Sequence, residues 1–471
     1  LEFRRVLFRS PGSIAARRLE GRALQVLVAH RFAPGHFRFV IPALLQGGHE
    51  VAVLTQSPGE MPVEARQIGL APHREPRSAT HPYVQAFERS VLLGQAAYKR
   101  ATALAASGYT PDVILTHGGF GIGLYLRELW PDVPMLSVFE WYFRSVGGDA
   151  DYLHGGELAV DDRLRIATLN ATTLLELDAC DLGVVPARCQ LASFPRAHRP
   201  RLVVQHEGVD AAAFSRTLDH GEVPLDLPPD RPLVTYAARG LEPYRGFPQF
   251  VRALDVLFRR RTDAVALVIG SDEVHYSARP RRGTWREQVL ADNPQLDRSR
   301  VHFVDRLPPE SFRALLARSA CHVYLSVPFV MSWSLLEVMA MEVPLVGSDT
   351  STLREAVDDG VEGRLVDMRE PDELAAAIDA TLADPTTARA RAADARARVL
   401  RDYDRDVCTG RWLELIETMR HARGALGRSV NMVHDTHRHA DEVAVGRGAA
   451  AVKAHPHEVE PGAIADPIEV A

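Results

Sequence analysis

The chain has 471 residues, of which 46% are apolar and 25% are charged, and its formal net charge is −6. This length exceeds what one ordinary hydrophobic core fills and indicates two domains of roughly 200 residues each. The acidic balance argues against a general attraction to nucleic acid or to an anionic membrane, and no apolar run approaches the roughly 20 residues that span a bilayer.

The two ends of the chain differ in character from its middle. Residues 1–22 are rich in arginine and contain too short an apolar stretch for a signal peptide, so we predict a disordered or non-native leader there. Residues 424–471 show no periodicity and are predicted to form a disordered tail. Three tail histidines, His434, His437 and His439, could take up a transition metal, although a solvated tail is the simpler interpretation. The four cysteines have neither metal nor disulfide spacing, which is typical of reduced thiols.

Alternating strand and helix patterns fill residues 23–214. The β-rich run "ALQVLVA" is followed by apolar residues at the spacing of one helical face and then by the strand-like "EVAVLT". Such a βαβ unit requires a parallel sheet, and we expect Pro42 to kink its helix. Further strands that run into polar loops are predicted at 112–121, 134–140, 182–187 and 201–210. This half is therefore predicted to be a Rossmann-like domain.

The prolines and acids of residues 215–232 interrupt the pattern and predict a linker. The alternation then restarts over residues 233–402, with a helix at 247–260. The last segment, 403–423, is predicted to be a helix that crosses back to the first domain. The predicted fold class is α/β, with two tandem doubly wound Rossmann-like domains facing across a cleft. The first strand is not followed by G-x-G-x-x-G and no Walker lysine motif occurs, which argues against a dinucleotide enzyme.

Three loops combine small residues, positive charge or free amides at the ends of strands, where ligands bind in such sheets. In "AARGLEPYRGF", Arg239 and Arg245 bracket the turn between a strand and a helix. In "SWSLLE", Ser332 and Ser334 open a helix whose N-terminal amides can bind an anion. In "HRFAPGHF", Gly35 brings backbone amides to the entrance of the first helix. Together they can hold a diphosphate without a metal ion, because charge-assisted hydrogen bonds take the place of the metal.

Glu337 follows one turn into the helix that the serines open, among apolar neighbours. Burying a carboxylate without a partner is costly. Two hydroxyl groups of a ribose would supply its partners.

These residues belong to a longer resemblance. The second half resembles the retaining, nucleotide-sugar-dependent glycosyltransferases of family 4, which have the GT-B fold, with order and spacing in agreement from about residue 231 to 385. The first half is similar more diffusely. The matching segments include "VTYAARGLEPYRGF", "LVIGSDE", "RVHFVDRLPPESFRALLARSACHVYLS" and "PFVMSWSLLEVMAMEVPLVGSDTSTLREAVDDGVEGRLVD" in the second half, and "APGHFRF", "GHEVAVLT", "PDVILTHGG" and "HEGVD" in the first.

The resemblance implies roles for individual residues. Arg239 and Arg245 would bind the diphosphate of the donor, with Arg245 standing where the family usually has lysine, and Glu337 would bind its ribose. Arg306 and Leu307 would lie near the base through their backbone. The other expected donor-binding residues are Gly35, Phe329, Ser332, Trp333, Ser334 and Leu335.

The donor loop departs from the family's pattern. The family usually has Glu-x7-Glu, whose first glutamate touches the transferred sugar; Glu337 is the second, and Phe329 occupies the first position. Val330 and Ser332 also replace the usual glycines of the loop. A phenylalanine cannot accept a hydrogen bond from a hydroxyl, but it can pack on an apolar ring face. Either the donor sugar is recognised differently, which we favour, or the site has lost its activity.

The first domain must supply the rest of the site. His117, at the end of a predicted strand, matches the family's histidine near the reacting sugar and joins the two arginines in the predicted catalytic set; a loop histidine bonded to backbone is the alternative. Glu140 and Arg144 are the predicted acceptor-binding residues, with a surface ion pair or a helix cap as the alternative. Glu242, between the two arginines, is predicted to orient them through a salt bridge.

The predicted function is transfer of a sugar from a nucleotide-sugar donor to an acceptor hydroxyl with retention, in glycan, exopolysaccharide or lipopolysaccharide biosynthesis, without a cofactor or metal ion. The expected partners are the nucleotide sugar and a glycan or lipid-linked acceptor, and not nucleic acid. The expected location is the cytoplasm, including the inner face of the membrane.

Three alternatives stay open. A glycosyltransferase-like protein could hold a nucleotide sugar without transferring it. A phosphorylase or a non-hydrolysing epimerase could share the fold, although a phosphorylase needs a cofactor lysine or a phosphate site and the chain has very few lysines. The third is a Rossmann-like binder of another ligand.

Overall fold

The structure is a computed structural model that describes residues 22–153, 158–221 and 225–421. The predicted leader, apart from Arg22, and the predicted tail lie outside the described residues. Both sheets of the described chain are parallel throughout, which confirms the predicted α/β class with two doubly wound domains.

The described residues of the first domain form a seven-stranded sheet in the order β3-β2-β1-β4-β5-β6-β7. The strands are β1 (Gln25–Ala29), β2 (Glu50–Thr55), β3 (Arg66–Gly69), β4 (Val113–His117), β5 (Met135–Val138), β6 (Leu182–Val185) and β7 (Leu202–Val204). The helices are α1 (Val40–Gln46), α2 (Gln85–Ala106), α3 (Leu126–Leu129), α4 (Val160–Leu169), α5 (Ala171–Ala179) and α6 (Arg188–Ser193).

Alternate residues of β1 face opposite sides of this sheet. Leu27 and Ala29 pack into one buried cluster, and Val26 and Val28 pack into another. A strand with helices over both faces is apolar at nearly every position, which explains why this run shows no polar alternation.

The described residues of the second domain form a six-stranded sheet in the order β10-β9-β8-β11-β12-β13. The strands are β8 (Leu233–Gly240), β9 (Val265–Ser271), β10 (Val301–Val304), β11 (Cys321–Tyr324), β12 (Leu345–Ser348) and β13 (Arg364–Val366). The helices are α7 (Phe247–Arg260), α8 (Trp285–Asp292), α9 (Pro309–Arg318), α10 (Trp333–Ala340), α11 (Ser351–Ala356), α12 (Pro371–Ala383) and α13 (Pro385–Asp402).

The strand orders place the functional loops. Chain order reverses between β1 and β4 in the first sheet and between β8 and β11 in the second. Loops that leave the carboxyl ends of such neighbouring strands open a crevice in which ligands bind. Most of the predicted site residues lie at or just after the ends of these four strands. Glu140 and Arg144 instead follow β5, and Arg306 and Leu307 follow β10.

Helix α1 begins at Val40, so Pro42 lies in its first turn, where a backbone N–H has no acceptor within the helix. A separate 3-10 turn, Gly35–Phe37, precedes it. The prediction of a helix kinked at Pro42 is therefore wrong: the chain makes a short turn first and starts the helix afterwards.

Residues 405–421 form a last helix that packs against the first domain. The buried indole of Trp412 meets the ring of Phe37 edge-on, with 5.8 Å between ring centroids, and Ile416 joins the same cluster. Just before this helix, the carbonyl of Tyr403 accepts a hydrogen bond from the amide of Val209 at 2.9 Å. Within the described residues, no helix combines the length and apolar character that crossing a bilayer requires.

Candidate functional site

Arg245 brings positive charge to the switch point of the second sheet. It is half-buried in the turn after β8, and its Nη1 donates to Oγ of Ser326 at 2.9 Å. No carboxylate of the described chain forms an ion pair with it. Its guanidinium carbon lies 5.1 Å from the ring centroid of Tyr276 and 6.0 Å from that of Phe329. A cation with aromatic neighbours and no carboxylate is available to an anionic ligand.

Gly246 lets this turn approach the end of β11. Its φ is +66°, in the left-handed region, and a Cβ there would lie 2.6 Å from Cβ of Leu325. Only glycine fits both conditions. The sequence "YRG" therefore holds Arg245 against the loop that leads to α10.

Arg239 is placed differently. It is an exposed residue near the end of β8, and its carbonyl accepts a hydrogen bond from Oγ of Ser271 at 3.0 Å. Burial is the main cause that lowers the pKa of His275, and the charges of Arg239 and Arg245 lower it further. The charges of both predicted diphosphate residues are therefore close enough to His275 to lower its pKa, although Arg239 is exposed and Arg245 is half-buried.

The predicted anion-binding helix is α10, with Ser332 as its N-cap. The Oγ of Ser332 accepts from the amide of Ser334 at 3.3 Å, and the two hydroxyl oxygens lie 2.9 Å apart. Leu335 is fully buried and serves packing. Trp333 faces the first domain, where its Nε1 donates to the carboxylate of Glu207. The helix therefore begins where the two domains meet.

Glu337 is half-buried, and no described residue donates a hydrogen bond to its side chain. Burial raises the pKa of Glu337 above its ordinary value, against the opposing charges of Arg38 and Arg313. Arg38 comes from the loop after β1; its guanidinium carbon lies 4.0 Å from the ring centroid of Trp333, and its Nη2 donates to the carbonyl of Gly208 at 3.0 Å. Arg38 of the first domain is thus close enough to Glu337, the predicted ribose-binding residue, for its charge to act on that carboxylate.

Phe329 lies at the centre of an aromatic group at the domain junction. Its ring is edge-on to those of Trp141, Tyr244 and Tyr276, with centroids 5.2 to 5.4 Å apart. Asp149 of the first domain is buried beside two of these rings: its carboxylate accepts hydrogen bonds from Nε1 of Trp141 at 2.9 Å and from the hydroxyl of Tyr244. Burial is the main cause that raises the pKa of Asp149. Aromatic rings therefore surround Phe329, with one carboxylate beside them.

Glu242 does not pair with the arginines. It is fully buried, and its Oε2 accepts from three successive amides, those of His275, Tyr276 and Ser277, at 3.3, 3.1 and 2.8 Å. The expectation of a salt bridge is therefore wrong. Glu242 instead anchors the loop after β9, which carries the ring beside Arg245.

The first domain contributes a histidine cluster, which we define as His30, His36 and His117. His30 follows β1, His36 lies in the next turn and His117 ends β4; all three are buried. The rings of His30 and His117 are stacked with centroids 4.2 Å apart, and Nε2 of His30 lies 3.2 Å from Nδ1 of His36. Burial lowers the pKa of His30 and of His117, so both are neutral at neutral pH.

Glu140 belongs with this cluster and not with Arg144. Its Oε1 lies 3.3 Å from Nε2 of His36 and 3.2 Å from Nε2 of His117. Burial alone would raise the pKa of Glu140, but the hydrogen bond and charge of His117, with the charge of His36, hold it at about 2. Arg144 instead donates from Nε to the carbonyl of Ser193 at 2.6 Å. The two predicted acceptor residues are therefore directed to different neighbours.

The remaining predicted residues lie at the edges of this region. Gly35 has φ of +47°, and a Cβ there would lie 2.1 Å from the His30 ring, so the glycine is needed to pack the turn on the cluster. Arg306 is exposed and Leu307 half-buried in the loop after β10, the edge strand of the second sheet. Neither lies at the switch point itself.

Sequence reasoning assigned no site role to six residues of the region: His30, His36, Arg38, Glu207, Asp149 and Tyr244. Arg38 lies inside the quoted segment "APGHFRF" and Tyr244 lies directly before Arg245, so both were adjacent to predicted residues. Glu207 lies inside the quoted segment "HEGVD", but its contact with Trp333 joins residues 126 positions apart, and the contact of Asp149 with Tyr244 joins residues 95 positions apart, so the sequence did not indicate either contact.

Comparison with known proteins agrees with this architecture. Residues 47–214 match the model of the glycosyl transferase family 4 group, and residues 231–384 match that of the glycosyl transferases group 1. A D-inositol 3-phosphate glycosyltransferase of Mycolicibacterium vanbaalenii is 31% identical over 219 residues, which are 44% of this chain and 46% of the relative. The chain thus spans about half the length of the curated relatives it matches first.

Solved structures share the fold. Sucrose-phosphate synthase from Thermosynechococcus elongatus superimposes with a TM-score of 0.62 at 20% identity, covering 87% of this chain and all of that chain. Anabaena HepE in complex with UDP-glucose superimposes with a TM-score of 0.60 at 15% identity, covering 86% and 100%. The two domains therefore have the GT-B arrangement, and the two family models together match about two thirds of the chain. This chain belongs to the family 4 (group 1) glycosyltransferases.

Proposed function

We propose that this protein transfers a sugar from a nucleotide-sugar donor to an acceptor hydroxyl with retention at the anomeric carbon. The observation that carries the proposal is Arg245, a half-buried cation that has no carboxylate partner among the described residues and is held by Gly246 beside the loop that enters α10. We place the reaction in the cytoplasm, in the assembly of a glycan, an exopolysaccharide or a lipopolysaccharide.

The donor lies along the second domain. Its diphosphate takes Arg245 and the first amides of α10, with exposed Arg239 closing over it from the solvent side. Glu337 has no donor to its carboxylate within the described chain and accepts the ribose hydroxyls. The backbone of Arg306 and Leu307 borders the base. The UDP-glucose bound by the Anabaena structure supports a nucleotide sugar of this type as donor.

Charge development explains why these groups accelerate transfer. When the glycosidic bond breaks, negative charge grows on the β-phosphate, and Arg245 and the helix amides are already aimed at it. They attract the transition state more than the ground state, so no metal ion is required. The leaving phosphate then takes the proton of the acceptor hydroxyl.

The first domain positions the reacting sugar. His117 is buried, and its Nδ1 has no hydrogen-bond partner within the described chain. That nitrogen accepts a hydroxyl of the donor sugar, while Glu140 holds the ring from the Nε2 side. Phe329 packs against an apolar face of the sugar, where the family has a carboxylate.

A thermal-shift panel tests the donor. UDP, GDP, ADP, TDP and their common sugar conjugates are added without metal to wild type, Glu337→Ala and the exposed control Glu310→Ala. One nucleotide is expected to stabilise wild type and the control, with affinity about 10- to 100-fold lower for Glu337→Ala, because hydrogen bonds to a charged group contribute about 1.5–3 kcal/mol. Equal thermal shifts for Glu337→Ala and wild type would refute the assignment of Glu337 as the residue that binds the ribose.

A second function is favoured by one observation: the rings of Trp141, Tyr244 and Tyr276 already surround Phe329. If they exclude the sugar, the protein holds a nucleotide without transferring. Incubation of the donor found by thermal shift with candidate glycan and lipid-linked acceptors separates the two: release of the nucleoside diphosphate supports transfer, and binding without release over the whole panel supports the binding protein.

A further inference from the structure

The histidine cluster has the composition of a metal site. Each of His30, His36 and His117 offers one ring nitrogen, and these atoms all lie within 4.8 Å of one another. Nε2 of His30 and Nδ1 of His36 are 3.2 Å apart. Four ligands at about 2.0–2.1 Å in a tetrahedron are separated by roughly 3.4 Å, so this pair already has the spacing of two ligands of one ion.

The carboxylates behind the rings complete the pattern. If His36 and His117 bind an ion through Nδ1, their Nε2 atoms remain 3.3 and 3.2 Å from Oε1 of Glu140. Glu207 adds a second carboxylate 3.8 Å from His36. Histidines that bind metals commonly donate their other N–H to a carboxylate, which orients the ring and raises its basicity.

His117 supplies an independent observation. It is 2% exposed, and its Nδ1 has no hydrogen-bond partner among the described residues. A buried polar atom without a partner is costly, and an ion would provide one.

We propose that His30, His36 and His117 bind one transition-metal ion, with Zn²⁺ best suited to the nitrogen ligands, and that Glu140 supports them from behind. Binding breaks the hydrogen bonds from the amides of Phe32 and His36 to the ring of His30, at 3.1 and 3.5 Å, because His30 must carry its proton on Nδ1 and give Nε2 to the ion. It also turns the His30 ring out of its stack on His117, since an ion lies in the plane of each imidazole that binds it. His30 is therefore the weakest of the three ligands.

The site goes beyond the proposed function and opposes it. An ion on Nδ1 of His117 occupies the nitrogen that the sugar hydroxyl needs, and it ties the loop after β1 to the end of β4. Zn²⁺ would thus inhibit transfer. Metal binding itself is measured without any transfer, so failure of one proposal leaves the other intact.

The experiment measures Co²⁺ and Zn²⁺ binding to the full chain after removal of metals with a chelator. The parent for all measurements carries His434→Gln, His437→Gln and His439→Gln, since the tail histidines could bind ions themselves. Co²⁺ reports its coordination through visible absorption, and Zn²⁺ affinity follows from competition with a chromophoric chelator. His198→Gln, a partly exposed histidine of the same domain, is the matched control.

One equivalent of Co²⁺ with the strong visible bands of a tetrahedral site is expected for the parent and for His198→Gln. His36→Gln and His117→Gln should each lower affinity at least about 100-fold, and Glu140→Gln about tenfold, as outer-shell partners do. The loss of metal affinity in His30→Gln should lie between these two values.

Two results would overturn the proposal: absence of tetrahedral bands in the parent, or unchanged affinity in both His36→Gln and His117→Gln. Circular dichroism of each variant tests its folding. If a variant does not fold, Zn²⁺ titration of the parent by X-ray absorption decides, because fewer than three nitrogen ligands on the ion would equally refute the site.

Discussion

Arg245→Ala is the substitution that most directly tests how the site works. The change removes the half-buried guanidinium that lies between Tyr276, Phe329 and the loop to α10. Donor binding and turnover should both fall, while folding should hardly change. The reason for the second expectation is that Oγ of Ser326, the hydrogen-bond partner of Arg245, also donates to the carbonyl of Val327 at 2.9 Å and keeps that bond.

The magnitude follows from where the charge lies. One unit charge about 4 Å from a phosphate charge contributes about 4 kcal/mol at the effective dielectric near a protein surface, before desolvation is subtracted. Removal of one preorganised donor to a developing oxyanion costs about 10²- to 10³-fold in rate. We therefore expect kcat/KM of Arg245→Ala to fall by about 10²- to 10³-fold. Arg239→Ala, which removes an exposed charge screened by solvent, should have the smaller effect of the two.

The assay measures kcat/KM for release of the nucleoside diphosphate, with the donor chosen from the thermal-shift panel. Arg245→Lys keeps the charge but loses the planar fork, so it should recover only part of the activity. Arg259→Ala removes an exposed arginine of α7 that pairs with Asp255, and it should behave like wild type. Urea unfolding of every variant separates loss of function from loss of fold.

An Arg245→Ala protein with near-normal kcat/KM would refute the assignment of Arg245 to the diphosphate. So would a larger effect of Arg239→Ala than of Arg245→Ala, because burial of the charge is the basis of the ranking. A large loss of stability in Arg245→Ala would show that the guanidinium has structural partners that the present contacts do not include.

Three further substitutions test the surrounding structure. Glu242→Ala leaves three backbone amides without their acceptor and should lower the free energy of unfolding by about 3 kcal/mol, measured with urea; a change below about 1 kcal/mol would contradict the anchoring role. Glu176 is fully buried, and burial is the main cause that raises its pKa to about 7. Between pH 4.5 and 7 the folded state therefore keeps a proton on Glu176 that the unfolded state has lost. As the pH rises through this range, the free energy of unfolding should fall by roughly 1 kcal/mol per pH unit relative to that of Glu176→Gln. Parallel pH profiles for the two proteins would contradict this. Trp412→Ala should lower the free energy of unfolding by about 3–5 kcal/mol and make the amides of residues 405–421 exchange faster with solvent, because the indole packs on Phe37. Unchanged stability and unchanged exchange would contradict this packing role.

Local sequence patterns determined most of the framework. The predicted strand 50–55 is β2, and the predicted helix 247–260 is α7 with the same bounds. Both have uninterrupted apolar periodicity and clear glycine or polar boundaries, and their burial follows directly from that periodicity. Strand β3 (Arg66–Gly69) was not predicted, because an edge strand with exposed residues has no apolar pattern.

The sequence determined which kinds of residue the functional loops carry, but not which residues they contact. Motif spacing located Arg245 and the N-cap Ser332 in loops that follow strands and Glu337 one turn into a helix, and α10 begins where the pattern predicts. It could not show that Glu242 turns away from the arginines to three amides of another loop, because a charge next to two opposite charges in sequence looks like their partner.

Only the tertiary structure decided which groups of the two domains meet. His36 and His117 are 81 positions apart in the chain, yet they adjoin because β1 and β4 are neighbours in the sheet, an order that no local pattern specifies. The same holds for Glu207 with Trp333 and for Asp149 with Tyr244, which join one domain to the other. Periodicity reports what each segment buries, whereas the choice of partner depends on strand order and domain packing, and these arise from interactions between segments distant in sequence.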